Sequence, residues 1–180
     1  MHALNKSRSC AIIVTYNPDF TALLKLIGQL KKETDFIIVD NGTLDIPYIE
    51  ESINVYDRCR EIICLKKNEG LAKALNIGIH WCLKEEYEFV FLFDQDSSLC
   101  DLFVDRMLNA FFDASGKAGK NIAAVGPRII NPQTMRQTSF KLFNKFIFRS
   151  DRKLTEKSSH YVADFLITSG TLLVLETIEV

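Results

Sequence analysis

No apolar stretch in the 180 residues approaches the roughly 18 that a bilayer span requires, and the first apolar run, Cys10 to Val14, is five residues long. Neither a membrane span nor a secretory signal is expected. Charge of one sign is also missing: 22 Lys and Arg stand against 23 Asp and Glu, a formal net charge of −1, which argues against the broad basic footprint of a nucleic-acid binder. The five cysteines are odd in number, form no C-x-x-C pair and have only His2, His80 and His160 as co-ligands, so no zinc or disulfide framework is implied. Cys64 and Cys82 lie within apolar patterns and read as small buried hydrophobes in a reducing compartment, which points to the cytosol. Glycine is sparse, eight in all, and never falls into G-x-G-x-x-G after the first strand or into G-x-x-x-x-G-K-[ST]. Dinucleotide oxidoreductases and P-loop NTPases are therefore poor fits. The length suits one domain with a real core, taken here as residues 1–180, and no internal repeat or low-complexity tract interrupts it.

What is present is alternation. CAIIV at 10–14 predicts a strand, and TYNP after it predicts a helix entered at Pro18 with Asn17 as cap. Leu23, Leu24, Ile27 and Leu30 recur at helical spacing. Phe36 to Val39 predicts a second strand, closed by Asp40-Asn41-Gly42, and its unbroken apolar character suits burial on both faces. A weaker helical segment runs from Ile46 to Tyr56. Glu61 to Leu65 predicts a third strand, followed by a helix whose stripe is Leu71, Leu75, Ile79 and Leu83. Phe89 to Phe93 predicts a fourth strand, then a helix carrying Leu102, Phe103, Met107, Ala110 and Phe111, a loop over FFDASGKAGKN, and a fifth strand at Ile122 to Val125. Such alternation predicts an α/β fold with a doubly wound, mostly parallel sheet and helices on both faces. Ligands of such sheets gather at the carboxyl ends of the strands. Those ends carry Thr15, Tyr16 and Asn17, then Asp40 and Asn41, then Asn68 and Glu69, then Asp94, Gln95 and Asp96.

Asp94-Gln95-Asp96 is a D-x-D triplet, of which a chain of this composition holds about one by chance. Its position directly after an apolar strand gives it weight, because an extended i, i+2 pair points both side chains the same way. Two carboxylates so placed make an oxygen site for Mg²⁺ or Mn²⁺ with room left for phosphate oxygens. The plainer alternative is a helix cap and solvent turn before Leu99.

Together, IVTYNP at 13–18, IIVDNGT at 37–43, NEGLAKALNIGI at 68–79 and FLFDQDSS at 91–98 resemble the inverting nucleotide-sugar glycosyltransferases of family 2, which have the GT-A fold. TYNP, VDNG and FDQDS, with VGPR at 125–128 and ITSGTLL at 167–173, are similar in particular to bacterial rhamnosyltransferases that build O-antigen or related polysaccharide. The resemblance implies that Thr15, Tyr16 and Asp40 hold the pyrimidine base, and that Asn68 and Lys73 lie beside base and diphosphate. It implies that Asp94 meets the ribose or the metal, and that Asp96 ligates a divalent Mn²⁺ or Mg²⁺ bridging the diphosphate. The donor implied is dTDP-rhamnose or a relative, and the acceptor a glycan or lipid-linked saccharide. Lys73 as an ordinary solvated helix lysine is the competing reading.

Direct displacement with inversion also needs a carboxylate base for the acceptor hydroxyl. In the family an acidic segment follows the ITSG-like strand. Neither Asp164 nor Glu176 matches its place, so no catalytic residue is assigned and the chain is expected to lack the acceptor and base segment. Over Phe140 to Lys153, helical projection puts Lys141, Lys145, Arg149 and Arg152 within about 80° and Phe140, Phe143, Phe146 and Ile147 opposite. A basic amphipathic helix of this type can lie on an anionic membrane and would place the protein near a lipid-linked acceptor; the plainer reading, an irregular or strand-forming acceptor loop with ordinary core phenylalanines, stands ahead of it. His80 and Trp81 read as part of a packed helix. Two other functions stay open from sequence. One is a phosphatase of the haloacid dehalogenase type, which Asp94 to Ser98 loosely resembles. The other is a non-catalytic nucleotide-sugar-binding module.

Overall fold

Strand β1 (Ser9–Thr15) has one half-buried residue followed by six buried ones, and the sheet is laid out on either side of it. The computed structural model describes residues 8–44, 56–118, 122–128, 134, 141–144, 147–150 and 166–178. Strands β2 (Asp35–Asp40) and β3 (Cys59–Cys64) follow β1 on one side; β4 (Phe89–Asp94), β8 (Thr171–Val174) and β5 (Ala124–Val125) follow on the other. The ladders β1–β2, β1–β4 and β2–β3 are parallel, while β8 runs antiparallel to both its neighbours. The chain therefore leaves β1 in one direction and later returns to its other side, which opens a crevice between the carboxyl ends of β1 and β4.

Alternate residues of each strand feed two cores. Ala11, Ile13, Phe36, Ile38, Phe91 and Phe93 pack against helices α1 (Phe20–Leu30) and α3 (Phe103–Ala118). Cys10, Ile12, Val14, Ile37, Val39, Val90 and Leu92 pack against helix α2 (Leu71–Lys84). Burial on both faces is why these strands read as unbroken apolar runs. The expected α/β sheet with helices on both faces is what forms.

Several local expectations change. Helix α1 is capped by Asp19, whose Oδ1 accepts from the amides of Thr21 and Ala22 at 2.8 and 3.2 Å, and not by Asn17. Asn17 has a positive φ of 45° and its own amide is spent on Thr43 Oγ1 at 2.9 Å. The buried face of α2 is Ala74, Gly78, Ile79 and Cys82, and Leu71 is exposed. Gly78 sets that face: a Cβ there would stand 2.7 Å from Ile12 Cγ2, so the helix lies close on β1 along its smallest residue. Helix α3 continues to Ala118 through most of the expected loop, and β5 is confined to Ala124–Val125.

Of the two readings of 140–153, the strand-forming one holds for the described residues. Strands β6 (Lys141–Asn144) and β7 (Ile147–Ser150) pair antiparallel there, with Phe143 opposite Phe148. The two strands run antiparallel, so the membrane contact argued from an amphipathic helix has no helix among the described residues to rest on. The weak helical segment at 46–56 lies outside the described residues except for Tyr56, as does Asp164.

Candidate functional site

The ends of β1 and β2 are tied through one carboxylate. Asp40 is fully buried, and its Oδ2 accepts from Thr15 Oγ1 at 2.7 Å and from Thr43 Oγ1 at 2.6 Å. Its Oδ1 accepts from the amides of Thr43 at 2.7 Å and Gly42 at 3.2 Å. A carboxylate offers about four acceptor positions, and here the chain's own groups occupy them. A base edge held by Asp40 therefore has to displace one of these donors. Thr15 is buried beside Asp40, whereas Tyr16, the next residue, is 47% exposed. Asp40, Asn41, Gly42 and Thr43 form an Asp-initiated turn, a signal present in D-N-G-T that draws Thr43 into the cluster.

A second set of bonds joins the tips of β2 and β3. Asn41 Nδ2 donates to Asn68 Oδ1 at 3.0 Å, and Asn41 Oδ1 accepts from the Glu69 amide at 2.9 Å. Asn68 Oδ1 also accepts from the Gly70 amide at 2.9 Å. Gly42, with φ of 94°, is required by this approach, since a Cβ there would lie 2.5 Å from the carbonyl carbon of Lys67. Lys73 is exposed and donates to Glu69 Oε2 at 2.8 Å one turn earlier, with Lys67 3.6 Å from the other oxygen. The hydrogen bond from Lys73 holds the Glu69 carboxyl below its ordinary pKa. Asn68 is thus part of the tip network, and Lys73 stands at its edge, paired with Glu69.

At the end of β4 the two carboxylates differ. Asp94 is half-buried and Asp96 exposed. Burial first, and then the charge of Asp96, raise the Asp94 carboxyl above its ordinary pKa. Neither acts as a helix cap. The next helix begins at Phe103, and the amide of Val104 in its first turn is capped by Glu33 Oε2 at 2.8 Å, reaching across from the end of α1. Between the carboxylates, Gln95 Oε1 accepts from the Tyr16 amide at 2.8 Å, and Gln95 Nε2 donates to the Tyr16 carbonyl at 3.4 Å. The tips of β1 and β4 are therefore bonded across the crevice. Sequence reasoning named Gln95 only as a polar tip residue; the spacing D-x-D directs attention to its neighbours.

Residues 10–172 match the glycosyl transferase family 2. The chain belongs to glycosyl transferase family 2. Among curated relatives of this glycosyltransferase-family chain, it is 31% identical over 176 residues to the dTDP-rhamnosyl transferase RfbF of Shigella flexneri, a match that takes in 94% of this chain and 55% of that protein. The chain thus spans about half the length of the curated relative it matches. Two solved structures share the fold. S. aureus TarS 1-349 is 19% identical with a TM-score of 0.51, over 94% of this chain and 47% of that one. The mannosyltransferase PcManGT from Pyrobaculum calidifontis, in complex with GDP-Man and Mn²⁺, is 20% identical with a TM-score of 0.50, over 71% and 37%.

Membership in the family sets aside the phosphatase reading of Asp94 to Ser98. The family 2 chain also brings two later segments to the β4 tip. Ser97 Oγ and Ser169 Oγ share a short hydrogen bond, and the Gly170 amide donates to Leu92 O at 2.7 Å. At Gly170, with φ of 82°, a Cβ would lie 2.8 Å from Pro127 and 3.0 Å from Phe103. The VGPR and ITSG segments are thereby packed on each other behind the carboxylates.

Two carboxylates, one exposed and one half-buried, suit a divalent cation that keeps positions for phosphate oxygens and water. Among the described residues there is no group of three or more His, Cys, Asp or Glu that could hold a metal ion. A separate cavity of about 460 Å³ opens at the opposite edge of the sheet, by the amino ends of β1, β2 and β3, lined among others by Arg8, Asp35, Arg58, Arg60 and Tyr87. Its charges answer one another: Asp35 meets Arg60 Nε at 3.0 Å and Arg58 at 3.5 Å and accepts from Tyr87 at 3.0 Å, while Arg8 lies 4.8 Å over the Tyr87 ring. This cavity lies away from the carboxyl ends of the strands, where ligands of such sheets gather. Glu176 is at that same remote edge, after β8, where the amide of Leu175 donates to Glu88 O at 3.0 Å just ahead of β4.

Proposed function

We propose that the chain forms the nucleotide-sugar-binding part of an inverting transferase that moves rhamnose from dTDP-rhamnose to a glycan or lipid-linked saccharide in bacterial surface polysaccharide synthesis. The observation that carries this reading is the bonding of the Tyr16 tip to the Asp94-Gln95-Asp96 tip across the crevice. One ligand laid there meets an exposed aromatic residue at one end and a carboxylate pair at the other. A nucleoside diphosphate has that shape of chemistry, a planar base and a polyanion that takes a metal. Family membership and the likeness to a dTDP-rhamnosyl transferase support the sugar and the nucleotide.

In this reading Tyr16 offers its ring to the base, and Thr15 and Asp40 reach the base edge once a donor of their network turns. Asn68 and Lys73 lie beside base and diphosphate, with Lys73 exchanging Glu69 for a phosphate oxygen. Asp96, with Asp94, holds Mn²⁺ or Mg²⁺, a reading the Mn²⁺ complex of the mannosyltransferase relative in fold supports. Such a cation, when bound, neutralises charge developing on the departing nucleoside diphosphate. Residues 1–180 act as one donor-binding domain. The proposed setting is the cytoplasm, where nucleotide-sugar donors are met; no helix of the described residues is long and apolar enough to cross a membrane.

Nucleotide preference tests the reading. Titration with dTDP, UDP and GDP in Mn²⁺ is expected to give the tightest binding for dTDP. A preference for GDP overturns the dTDP-rhamnose assignment.

A further inference from the structure

The last register pair of the β1–β4 ladder is Val14 with Asp94. One step beyond it, the Gln95 carboxamide takes the place of a peptide group, accepting from Tyr16 N–H at 2.8 Å and donating to Tyr16 C=O at 3.4 Å. The two bonds define which way the carboxamide faces, since the reverse orientation would set donor against donor and oxygen against oxygen. On its other side Tyr16 is followed by Asn17, whose amide is held by Thr43, itself bound to Asp40. The main chain at Tyr16 is therefore clamped between the carboxylate triplet and the buried Thr15–Asp40 pair.

We propose that Gln95 is a positioning residue that fixes the distance between the base-contacting tip of β1 and the metal-holding carboxylates, so that nucleotide and divalent cation bind cooperatively. This rests on the donor-site reading above. Gln95 touches neither base nor metal. Its side chain measures the gap that a nucleoside diphosphate has to span, and a ligand loses affinity when two anchoring groups lose their fixed separation. Asn is a methylene too short to reach Tyr16, and Glu keeps the 2.8 Å bond but turns the second into oxygen against oxygen. Met matches the length and makes neither bond.

The test compares the wild-type chain with Gln95→Met, titrating dTDP with and without Mn²⁺, and thymidine without metal as a probe of the base side alone. In the wild type Mn²⁺ is expected to tighten dTDP at least tenfold. In Gln95→Met that gain falls below threefold, while thymidine affinity stays within twofold and near-ultraviolet circular dichroism is unchanged. Gln95→Glu, which retains the shorter bond, recovers part of the gain. An equal Mn²⁺ gain in wild type and Gln95→Met, or a parallel loss of thymidine binding, overturns the positioning role while leaving the donor site standing. A folded wild type that binds no dTDP overturns the donor-site reading and this proposal with it. Should Gln95→Met fail to fold, the Tyr16 amide of the wild type carries the test: its hydrogen exchange slows more with dTDP and Mn²⁺ together than with either alone, and an unchanged rate contradicts the proposal.

Discussion

Thr15 and Asp40 are buried together at the point where β1 and β2 end, and the threonine hydroxyl donates to Asp40 Oδ2 at 2.7 Å. A buried carboxylate survives only when its acceptor positions are met, and here the side chains of two threonines and two amides meet them. The strand tips that carry Tyr16, Asn41 and Thr43 are consequently tied into one platform.

Removing the hydroxyl tests that platform. Thr15→Val is expected to cost about 1.5–3 kcal/mol, the range for a hydrogen bond to a charged group, whereas Thr15→Ser keeps the donor and loses only a methyl. Urea unfolding of the two variants measures the difference. Equal midpoints would show that the Thr15–Asp40 bond contributes little.

Two glycines with positive φ separate backbone strain from crowding. At Gly70, with φ of 89°, an added Cβ meets nothing within 4 Å, so Gly70→Ala is expected to cost about 1–3 kcal/mol from conformation alone. Gly42→Ala adds to the same strain a clash with the main chain at Lys67 and Asn68, so it is expected to be the more damaging of the pair. Thermal unfolding ranks them, and a less stable Gly70→Ala would contradict the tight approach of the β2 and β3 tips.

Burial pushes the Cys59 thiol up to about 11. At pH 8 it is therefore almost wholly protonated and slow to alkylate, and its rate rises steeply only as pH climbs toward 11. Cys100 is exposed and is expected to react first. Mass spectrometry after timed iodoacetamide labelling checks the order, and prior labelling of Cys59 at pH 8 would show that its buried environment is open in solution.

The helix α3 owes its first-turn cap to Glu33, a residue 71 positions away from Val104. Glu33→Ala is expected to destabilise the protein by about 1 kcal/mol, as loss of a cap does, with hydrogen exchange at the start of α3 speeding up most. Uniform exchange across the protein would deny that local role.

Elements whose signal is local were legible in the chain. The runs at 10–14, 36–39 and 89–93 are strands because burial on both faces demands continuous apolar residues, and their order placed the polar tips at one edge. Features set by tertiary partners were not. Nothing near Phe103 announces that its cap comes from Glu33, and of the stripe on α2 Leu75, Ile79 and Leu83 do face the core while Leu71 does not, the closest approach being made at Gly78. Over 140–153 the helical projection rightly stands behind the strand-forming reading: basic and aromatic residues spaced for a helix also suit two short paired strands. At the site, the carboxylate triplet stood out by type and position. The residues that hold it, Gln95 and Ser169, make ordinary polar bonds that appear only when distant segments meet.

The central claim, a metal-assisted nucleoside diphosphate site at the ends of β1 and β4, is tested most directly by calorimetric titration of the chain with dTDP in Mn²⁺, beside Asp96→Ala. The account predicts binding that depends on Mn²⁺ and weakens at least tenfold in Asp96→Ala. Absence of dTDP binding by the folded chain, or equal affinity in wild type and Asp96→Ala, would contradict it.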